Sequence, residues 1–220
     1  MYRCCIFDLD GTLLNTIHAL TFTTNQVLKR LSLPELTEDQ MKYCVGDGYK
    51  MQMRRSLLAA GDKELVHFEE SLPIYMEEFA KYCMYQVAPY DGIPDLLKFL
   101  KEKNVKTAVF SNKPHPMAVE NIEGIFGKGY FDLIEGQKPE VPKKPDPTGV
   151  FLIMEKLQVK PEECLYFGDT NTDMRTGKAA GVDTVGVLWG FRKREELEEF
   201  HPKYLISSPL EICQAFEEKA

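Results

Sequence analysis

The sequence predicts an α/β protein with a Rossmann-like core, in which helices cover both faces of a parallel sheet, and an inserted all-helical cap domain. Residues 4–7 are wholly apolar, as in a strand that is buried on both faces of a sheet. Residues 15–85 show helical periodicity and no strand pattern. After residues 90–92, strand and helix patterns alternate, which is typical of a parallel sheet. We therefore expect a core domain of residues 1–14 and 86–220 and a cap domain of residues 15–85.

Start and stop signals divide the predicted cap into helices. Leu33 and Pro34 end the first helix, and Thr37 with Gln40 matches a capping box that opens the second. Pro73 suits the first turn of a helix better than its interior, so two helical segments are expected to meet there. The predicted cap helices cover residues 15–31, 37–44, 49–60 and the two segments on either side of Pro73.

In the predicted core domain, short apolar runs alternate with segments of helical spacing. The run that begins at Val105 ends at Ser111 and Asn112, and Gly181 closes the last predicted helix. We predict strands over residues 4–7, 105–110, 131–135, 164–167 and 184–188, and helices over residues 94–103, 116–125, 148–157 and 173–180.

Composition and charge exclude several classes of protein. With 44% apolar residues among 220, the chain can bury a sizeable core. The net charge of -7 argues against nucleic-acid binding, which normally needs a basic face. The six cysteines form no CxxC pair and are expected to be reduced core residues of a cytoplasmic protein. Because the N-terminal apolar run is too short for a signal peptide or a membrane span, no membrane partner is expected.

Two carboxylates follow the first predicted strand. Asp8 and Asp10 are one residue apart, so in an extended segment both side chains point to one side while Leu9 points to the other. Like charges this close repel, and the pKa of at least one carboxyl rises unless a cation lies between them. A solvated loop would also explain an isolated pair of this kind. A buried strand that aims both carboxylates at one point instead favours a functional site.

Polar residues also follow the other predicted strands. In open α/β sheets, ligands bind outside the carboxyl ends of the strands. Residues 111–113 (SNK) follow one strand, residues 168–173 (GDTNTD) follow another, and residues 143–147 (KKPDP) form a loop between them. Each has a simpler explanation, since the serine or asparagine could cap a helix, the lysines could be solvated, and Asp173 could be a helix N-cap. These explanations do not account for acids, a hydroxyl and a lysine at the same edge of one sheet.

Taken in order, these segments resemble the four motifs of the haloacid dehalogenase-like (HAD) phosphohydrolases. Residues 8–12 (DLDGT) resemble the first motif, Ser111 the second, Lys144 in KKPDP the third, and residues 168–173 the fourth. One such motif would be a weak signal, whereas four in order, covering nearly the whole chain, are specific. The insertion after the first motif is similar to that of the helical-cap (C1) branch of this family.

The resemblance implies roles for these residues in phosphoryl transfer. Asp8 would be the phosphoryl-accepting nucleophile, and Asp10 would be the general acid and base. Ser111 and Lys144 would hold the phosphoryl oxygens and stabilise their charge. Further substrate-binding positions implied by the resemblance are the backbone amides after Asp8, at Leu9, Gly11 and Thr12, and Asn112.

The implied cofactor is Mg²⁺. A phosphate dianion repels an anionic nucleophile, so a cation must lie between them, and Mg²⁺ prefers hard oxygen ligands. By resemblance, Asp8, Asp169 and the backbone carbonyl of Asp10 would hold the ion. Asp173 would be an additional or outer-shell ligand.

Within the family, residues 45–48 (VGDG) and 111–113 (SNK) are most similar to phosphoglycolate phosphatases. In that branch a cap loop approaches the substrate, and glycines let its backbone come close. The resemblance therefore implies substrate contacts for residues of the cap. These are Gly46, Asp47, Gly48 and Arg54, with Lys50 and Arg55 as further candidates. For each basic residue, a solvated patch on a cap helix is an equally good explanation.

The expected function is a Mg²⁺-dependent phosphatase of a small phosphorylated metabolite, with phosphoglycolate as the best candidate. A phosphomutase, which shares all four motifs, or another HAD phosphotransferase of the same fold is the enzymatic alternative. A phosphoaspartate signalling module is the non-enzymatic alternative, although such modules lack an acid two residues after the nucleophile and have no large helical cap. The chain is expected to act as a monomer or a homodimer.

Overall fold

A six-stranded parallel sheet forms the centre of the fold in the computed structural model, which describes residues 1–217. The strands of the protein are β1 (Cys4–Phe7), β2 (Leu14–Asn15), β3 (Ala88–Pro89), β4 (Lys106–Pro114), β5 (Leu133–Gln137), β6 (Cys164–Gly168), β7 (Asp183–Val187) and β8 (Tyr204–Ile206). The six strands of the main sheet lie in the order β5-β4-β1-β6-β7-β8, and each neighbouring pair is parallel. β1 therefore lies inside the sheet, between β4 and β6.

Helices cover both faces of this sheet. The helices of the protein are α1 (Ile17–Arg30), α2 (Glu38–Cys44), α3 (Tyr49–Ala59), α4 (Phe68–Tyr82), α5 (Ile93–Glu102), α6 (His115–Phe126), α7 (Thr148–Leu157), α8 (Asn171–Ala180) and α9 (Arg194–Glu198), with short 3₁₀ helices at Pro161–Glu163 and Pro209–Phe216. On one face of β1, Cys5 and Phe7 pack with apolar side chains of α5 and α6. On the other face, Cys4 and Ile6 pack with side chains of α7. Both faces of β1 are buried, so the α/β fold and the wholly apolar strand predicted from the sequence are confirmed.

The cap consists of α1, α2, α3 and α4 and has an apolar core of its own. Its buried side chains include Val27, Leu28, Met41, Met53, Leu57, Tyr75 and Phe79. The chain enters the cap after β2 and returns to the core before β3, and these two short strands pair antiparallel. The insertion therefore leaves and re-enters the core at one place. Within residues 1–217, no helix has both the length and the apolar character needed to span a bilayer.

The cap differs from the sequence prediction in two details. Pro73 lies inside one continuous helix, α4, and does not separate two segments. Tyr75 and Phe79 on the same helix are buried in the cap core, and this packing outweighs the one backbone hydrogen bond that proline removes. Asn15, expected in a helical region without strands, instead pairs with Ala88. A strand of two residues is too short to show an alternating pattern.

The core domain differs at three further places. β4 does not end at Phe110 but continues to Pro114, which pairs with Gln137 of β5 beyond an irregularity in the register. The N-cap of α8 is Thr170, and Asp173 is the N3 residue that completes its capping box. α9, β8 and the 3₁₀ helix at Pro209–Phe216 are not predicted from the sequence, because elements of three to eight residues carry little periodicity.

Candidate active site

The carboxyl ends of three adjacent strands bring the predicted site residues together. Asp8 follows β1, Asp169 follows β6, and Ser111 lies near the end of β4. All three residues are buried. Because β1 lies between β4 and β6, residues that are more than fifty positions apart in sequence meet at one sheet edge, as the sequence analysis expects.

Lys144 joins this group from the loop between β5 and α7. Its ammonium donates hydrogen bonds to Asp8 Oδ1 at 2.6 Å, to Asp173 Oδ1 at 2.7 Å and to the carbonyl of Phe110 at 3.1 Å. The backbone amide of Lys144 donates to Asn112 Oδ1 at 2.8 Å, so Asn112 holds the lysine loop in place. Burial alone would lower the pKa of Lys144, but the charges of Asp173 and Asp8 outweigh it and raise this pKa. Lys144 is therefore a fixed, buried cation beside Asp8.

Asp8, Asp169 and Asp173 form a buried cluster of carboxylates. Each offers an oxygen atom, and these atoms lie within 4.8 Å of one another. Burial raises the pKa of Asp8, with Lys144 opposing and the neighbouring acids adding to the rise. Burial and the charge of Asp173 raise the pKa of Asp169 to about 7. Three buried carboxylates facing one lysine leave negative charge unbalanced, and a hard divalent cation suits such an oxygen cluster.

Glycines make room for two of these acids. A Cβ atom on Gly11 would lie 2.4 Å from Asp169 Oδ2, and one on Gly190 would lie 2.3 Å from the Cβ of Asp169. A Cβ atom on Gly168 would lie 2.1 Å from the Cβ of Asp173. Gly11 also has a φ of +88°, which favours glycine. Any larger residue at these positions would displace the carboxylate cluster.

The two outer carboxylates of the cluster are held differently. Asp169 accepts hydrogen bonds from the Thr12 hydroxyl at 3.1 Å and from the amide of Phe191 at 2.8 Å. Asp173 accepts from Lys144 at one oxygen and from the Thr170 hydroxyl, at 2.6 Å, at the other. The donors to Asp169 are neutral, whereas Asp173 pairs with the ammonium of Lys144, which suits a residue that positions this lysine.

Asp10 lines the same cavity as Asp8, whereas Leu9 is buried in the core domain. Asp10 Oδ1 accepts a hydrogen bond from the ammonium of Lys113 at 2.8 Å. Lys113 also lines the cavity, and its side chain is only 1% exposed. Lys113 belongs to the SNK segment, but no role for it is predicted from the sequence. The hydrogen bond to Asp10 makes Lys113 part of the candidate site.

Two of the three backbone amides that the resemblance assigns to substrate binding form hydrogen bonds within the turn after Asp8. The Gly11 amide donates to the Leu14 carbonyl at 3.0 Å, and the Thr12 amide donates to the Leu9 carbonyl at 3.4 Å. The Thr12 carbonyl in turn accepts from the indole nitrogen of Trp189 at 2.9 Å. Among residues 1–217 the Leu9 amide has no recorded partner, so of these three amides it is the one available to a ligand. Gly11 and Thr12 instead shape the turn and hold Asp169.

The cap loop at residues 45–48 closes over the cavity. Gly46 and Gly48 line it, and the Gly46 carbonyl accepts from Asn112 Nδ2 at 3.2 Å. Gly48 has φ +83° and ψ 162°, a conformation open essentially to glycine. Asp47 does not line the cavity. Its carboxylate accepts from the Thr172 hydroxyl at 2.7 Å and pairs with Arg55, so it fastens the loop to the core.

The basic residues of the cap lie outside the cavity lining. Arg54 is exposed on α3, so the structure does not bring it to the site. The guanidinium of Arg55 is engaged by Asp47 and by the carbonyl of Cys44. Lys50 is exposed and lines a neighbouring surface depression. Arg192, which the sequence analysis missed, reaches from the core to the carbonyls of Lys42 and Val45, and no motif signals it.

Mg²⁺ should stabilise the protein more at pH 8 than at pH 5.5. Because the pKa of Asp169 is raised to about 7, its contribution to stability is present below the unfolded value near 3.8 and is lost as pH rises through about 7. Mg²⁺ binds the ionised carboxylates, so it recovers this loss only where they are ionised. The measurement is the melting temperature with and without Mg²⁺ at both pH values, at constant ionic strength. Asp169→Asn should remove most of the stabilisation by Mg²⁺ at pH 8, and an equal Mg²⁺ effect at both pH values in the wild type would contradict the assignment.

Comparison with known proteins adds independent information. Residues 5–187 match the family of haloacid dehalogenase-like hydrolases. The chain is 33% identical over 212 residues to the phosphoglycolate phosphatase of Aquifex aeolicus, covering 96% of this chain and 95% of the relative. It is 29% identical over 207 residues to the phosphoglycolate phosphatase of Colwellia psychrerythraea, covering 92% of each. The protein in a crystal structure from Lactobacillus delbrueckii subsp. bulgaricus is 28% identical to this chain. The two structures superpose with a TM-score of 0.90, over 97% of this chain and 98% of that one.

Proposed function

The chain belongs to the family of haloacid dehalogenase-like hydrolases, and we propose that it is a Mg²⁺-dependent phosphatase that hydrolyses phosphoglycolate through an aspartyl-phosphate intermediate. One observation supports this most directly. The buried carboxylate of Asp8 shares a cavity with a second acid, Asp10, and pairs at 2.6 Å with the ammonium of Lys144. A nucleophile, a proton carrier and a fixed cation are therefore in one place.

In this proposal Lys144 and Ser111 bind the phosphoryl oxygens. The Lys144 ammonium is held against Asp8 by its bonds to Asp173 and the Phe110 carbonyl, so it is already positioned before substrate arrives. The Ser111 hydroxyl lines the cavity and accepts from the Lys113 amide at 3.2 Å, which directs its own proton elsewhere. Such prepared donors stabilise charge as it develops on the transferring phosphoryl group.

Mg²⁺ would be held by Asp8, Asp169 and the backbone carbonyl of Asp10, with Asp173 further out. When bound, it would offset the repulsion between the phosphate dianion and the Asp8 carboxylate. The clustered oxygen atoms of the three acids support this choice of ion, since Mg²⁺ takes carboxylate ligands and keeps several waters.

The reaction would proceed in two steps on two aspartates. Asp8 attacks phosphorus, and the bond between phosphorus and the ester oxygen breaks while Asp10 gives that oxygen a proton. Asp10, now a carboxylate, then takes a proton from water, which attacks the aspartyl phosphate and releases inorganic phosphate. Its position on the cavity wall, two residues after Asp8, lets one residue serve both steps.

The choice of phosphoglycolate is supported by the relatives. Two phosphoglycolate phosphatases are similar to this chain over nearly their whole length. The cap in this proposal comprises residues 15–85. Six free cysteines, five of them buried, support the cytoplasmic location that the sequence analysis expects.

Phosphate release should depend on a divalent ion and should be fastest with phosphoglycolate. Exhaustive chelation should lower kcat/KM by at least about 10²-fold, since metal assistance is worth several kcal/mol, and Mg²⁺ should restore it. Ca²⁺ should support little turnover because its larger, more variable coordination misplaces the nucleophile. The measurement is phosphate release across a panel of phosphorylated metabolites, with and without chelator.

Undiminished turnover after chelation would contradict the metal assignment, and no turnover of any panel member would contradict the phosphatase assignment. Product analysis in the same panel separates a phosphatase, which releases phosphate, from a phosphomutase, which returns it to the product. A long-lived aspartyl phosphate in the unmodified protein would instead indicate a signalling module.

A further inference from the structure

The cavity wall beyond the phosphoryl site carries a buried positive charge. Among the residues that line the cavity within residues 1–217, Lys113 is the one with a cationic side chain. Its side chain is 1% exposed and its ammonium lies 4.9 Å from the ring centroid of Phe79 in the cap. Burying an ammonium is costly unless an anion accompanies it. Asp10 accompanies it here, but the ammonium can donate three hydrogen bonds and one contact to a carboxylate is recorded.

Lys113 lies beside the place that the leaving group of the substrate would occupy. In the proposed reaction Asp10 lies within hydrogen-bonding distance of the ester oxygen that leaves. The Lys113 ammonium lies 2.8 Å from the same carboxylate. It is therefore close to whatever is attached to that ester oxygen. In phosphoglycolate, a single methylene group separates the ester oxygen from a carboxylate.

The Tyr75 hydroxyl is a second donor, on the cap side of this wall. Gln52 donates through Nε2 to the Tyr75 hydroxyl and to the Thr24 hydroxyl, both at 3.1 Å. Since the Tyr75 oxygen accepts from Gln52, its own hydrogen points elsewhere, and no acceptor for it is recorded among residues 1–217. Tyr75 lines the cavity, and its ring stacks on Phe79 at 5.2 Å. Burial raises the pKa of Tyr75, so its hydroxyl stays a donor.

We infer that Lys113 and the Tyr75 hydroxyl bind the carboxylate of the substrate and select acids that carry their phosphate on the carbon next to the carboxyl group. This inference rests on the proposed phosphatase function and adds the residues that read the rest of the substrate. Lys144 serves the phosphoryl group and Lys113 the carboxylate, so each of the two anionic ends meets its own buried lysine. Phe79 and Tyr75 bring the cap into the same contact, which makes the cap part of the selection.

The test compares phosphoglycolate with ethyl phosphate, which has a methyl group in place of the carboxylate. The measured quantity is the selectivity, the ratio of kcat/KM for the two substrates. Lys113→Met should lower this ratio by roughly 30- to 1,000-fold, as expected when one partner of a buried charge pair is removed. Tyr75→Phe should lower it by roughly 10- to 100-fold, the usual effect of losing a hydrogen bond to a charged group.

The ratio separates recognition from a general effect on Asp10. If Lys113 only positions Asp10, both substrates lose activity equally and the ratio stays constant, which would overturn the inference. Tyr75→Phe keeps the ring and does not touch the pair of Lys113 with Asp10, so it tests the inference independently if Lys113→Met folds poorly. Lys98→Met, an exposed lysine of α5, is the matched control for loss of one positive charge and should leave the ratio unchanged.

Failure of the inference and failure of the proposed function give different results. A wild-type protein that hydrolyses both substrates without preferring phosphoglycolate would overturn the inference and leave the phosphatase in place. A wild-type protein that hydrolyses neither, nor any other phosphate monoester, would overturn the proposed function and the inference with it.

Discussion

The Asp8→Asn variant should lose roughly 10⁴-fold or more of the phosphatase activity and keep its fold. The amide has nearly the shape of the carboxylate but is a poor nucleophile, and removing the nucleophile of a covalent mechanism removes the first step. Lys144 keeps its bonds to Asp173 and to the Phe110 carbonyl, so the phosphoryl site retains its cation. The measurement is kcat with nitrophenyl phosphate and with phosphoglycolate at saturating Mg²⁺.

Stability distinguishes a chemical loss from a folding defect in this variant. Burial and neighbouring acids raise the pKa of Asp8, so a neutral amide at this position relieves charge in the metal-free protein. The melting temperature without metal should therefore equal or exceed that of the wild type. Asp95→Asn, on the exposed side of α5, is the matched control and should keep full activity. Retention of a few per cent of wild-type turnover by Asp8→Asn would rule out the covalent mechanism.

Residues that follow strands are the part of the site that sequence reasoning predicts well. Asp8, Ser111 and Asp169 each come at the carboxyl end of an apolar run, and parallel strands carry such residues to one edge. Their convergence requires only that β1 lie beside β4 and β6. The fold class follows from the same runs, because a strand that is apolar at every position must be covered on both faces.

Side-chain pairings between distant parts of the chain cannot be predicted in the same way. The partner of Lys113, Asp10, is 103 positions away, and the partner of Asp47, Thr172, is 125 positions away. Spacing rules describe neighbours along one helix or strand and contain no information about such contacts. From the sequence, Asp47 is therefore expected to contact the substrate, whereas in the structure it accepts a hydrogen bond from Thr172 and fastens the cap loop to α8.

The face of α3 that is buried cannot be predicted from the sequence either. Its buried residues include Gln52 and Ser56 beside Met53 and Leu57, so apolar positions alone do not define the face that meets the core. Arg54 and Arg55 are adjacent in sequence, yet the first is exposed and only the second engages Asp47. Gln52 donates to the Tyr75 hydroxyl, and this contact gives a reason for a buried polar position that hydrophobicity does not reveal.

The Asp10→Asn variant should affect the two half-reactions differently. An alkyl alkoxide leaves only when it is protonated, so loss of the acid should slow the first step with phosphoglycolate by roughly 10²–10⁴-fold. A nitrophenolate leaves readily without a proton, so the first step with nitrophenyl phosphate should survive better. The second step needs a base to activate water whichever alcohol has left. With nitrophenyl phosphate, the variant should therefore form the phosphoenzyme and then stall.

Rapid mixing with nitrophenyl phosphate, followed by intact-mass measurement of the quenched protein, tests this asymmetry. We expect a burst of nitrophenol and a mass increase of one phosphoryl group on Asp8. The asparagine can still accept a hydrogen bond from Lys113 through its amide oxygen, so the cavity wall should stay in place. Asp8→Asn is the control, because it should show neither burst nor adduct. No burst and no adduct from Asp10→Asn, in a folded protein that still binds Mg²⁺, would contradict the role of Asp10 as the base, since a stalled second step must leave the phosphoryl group on the enzyme.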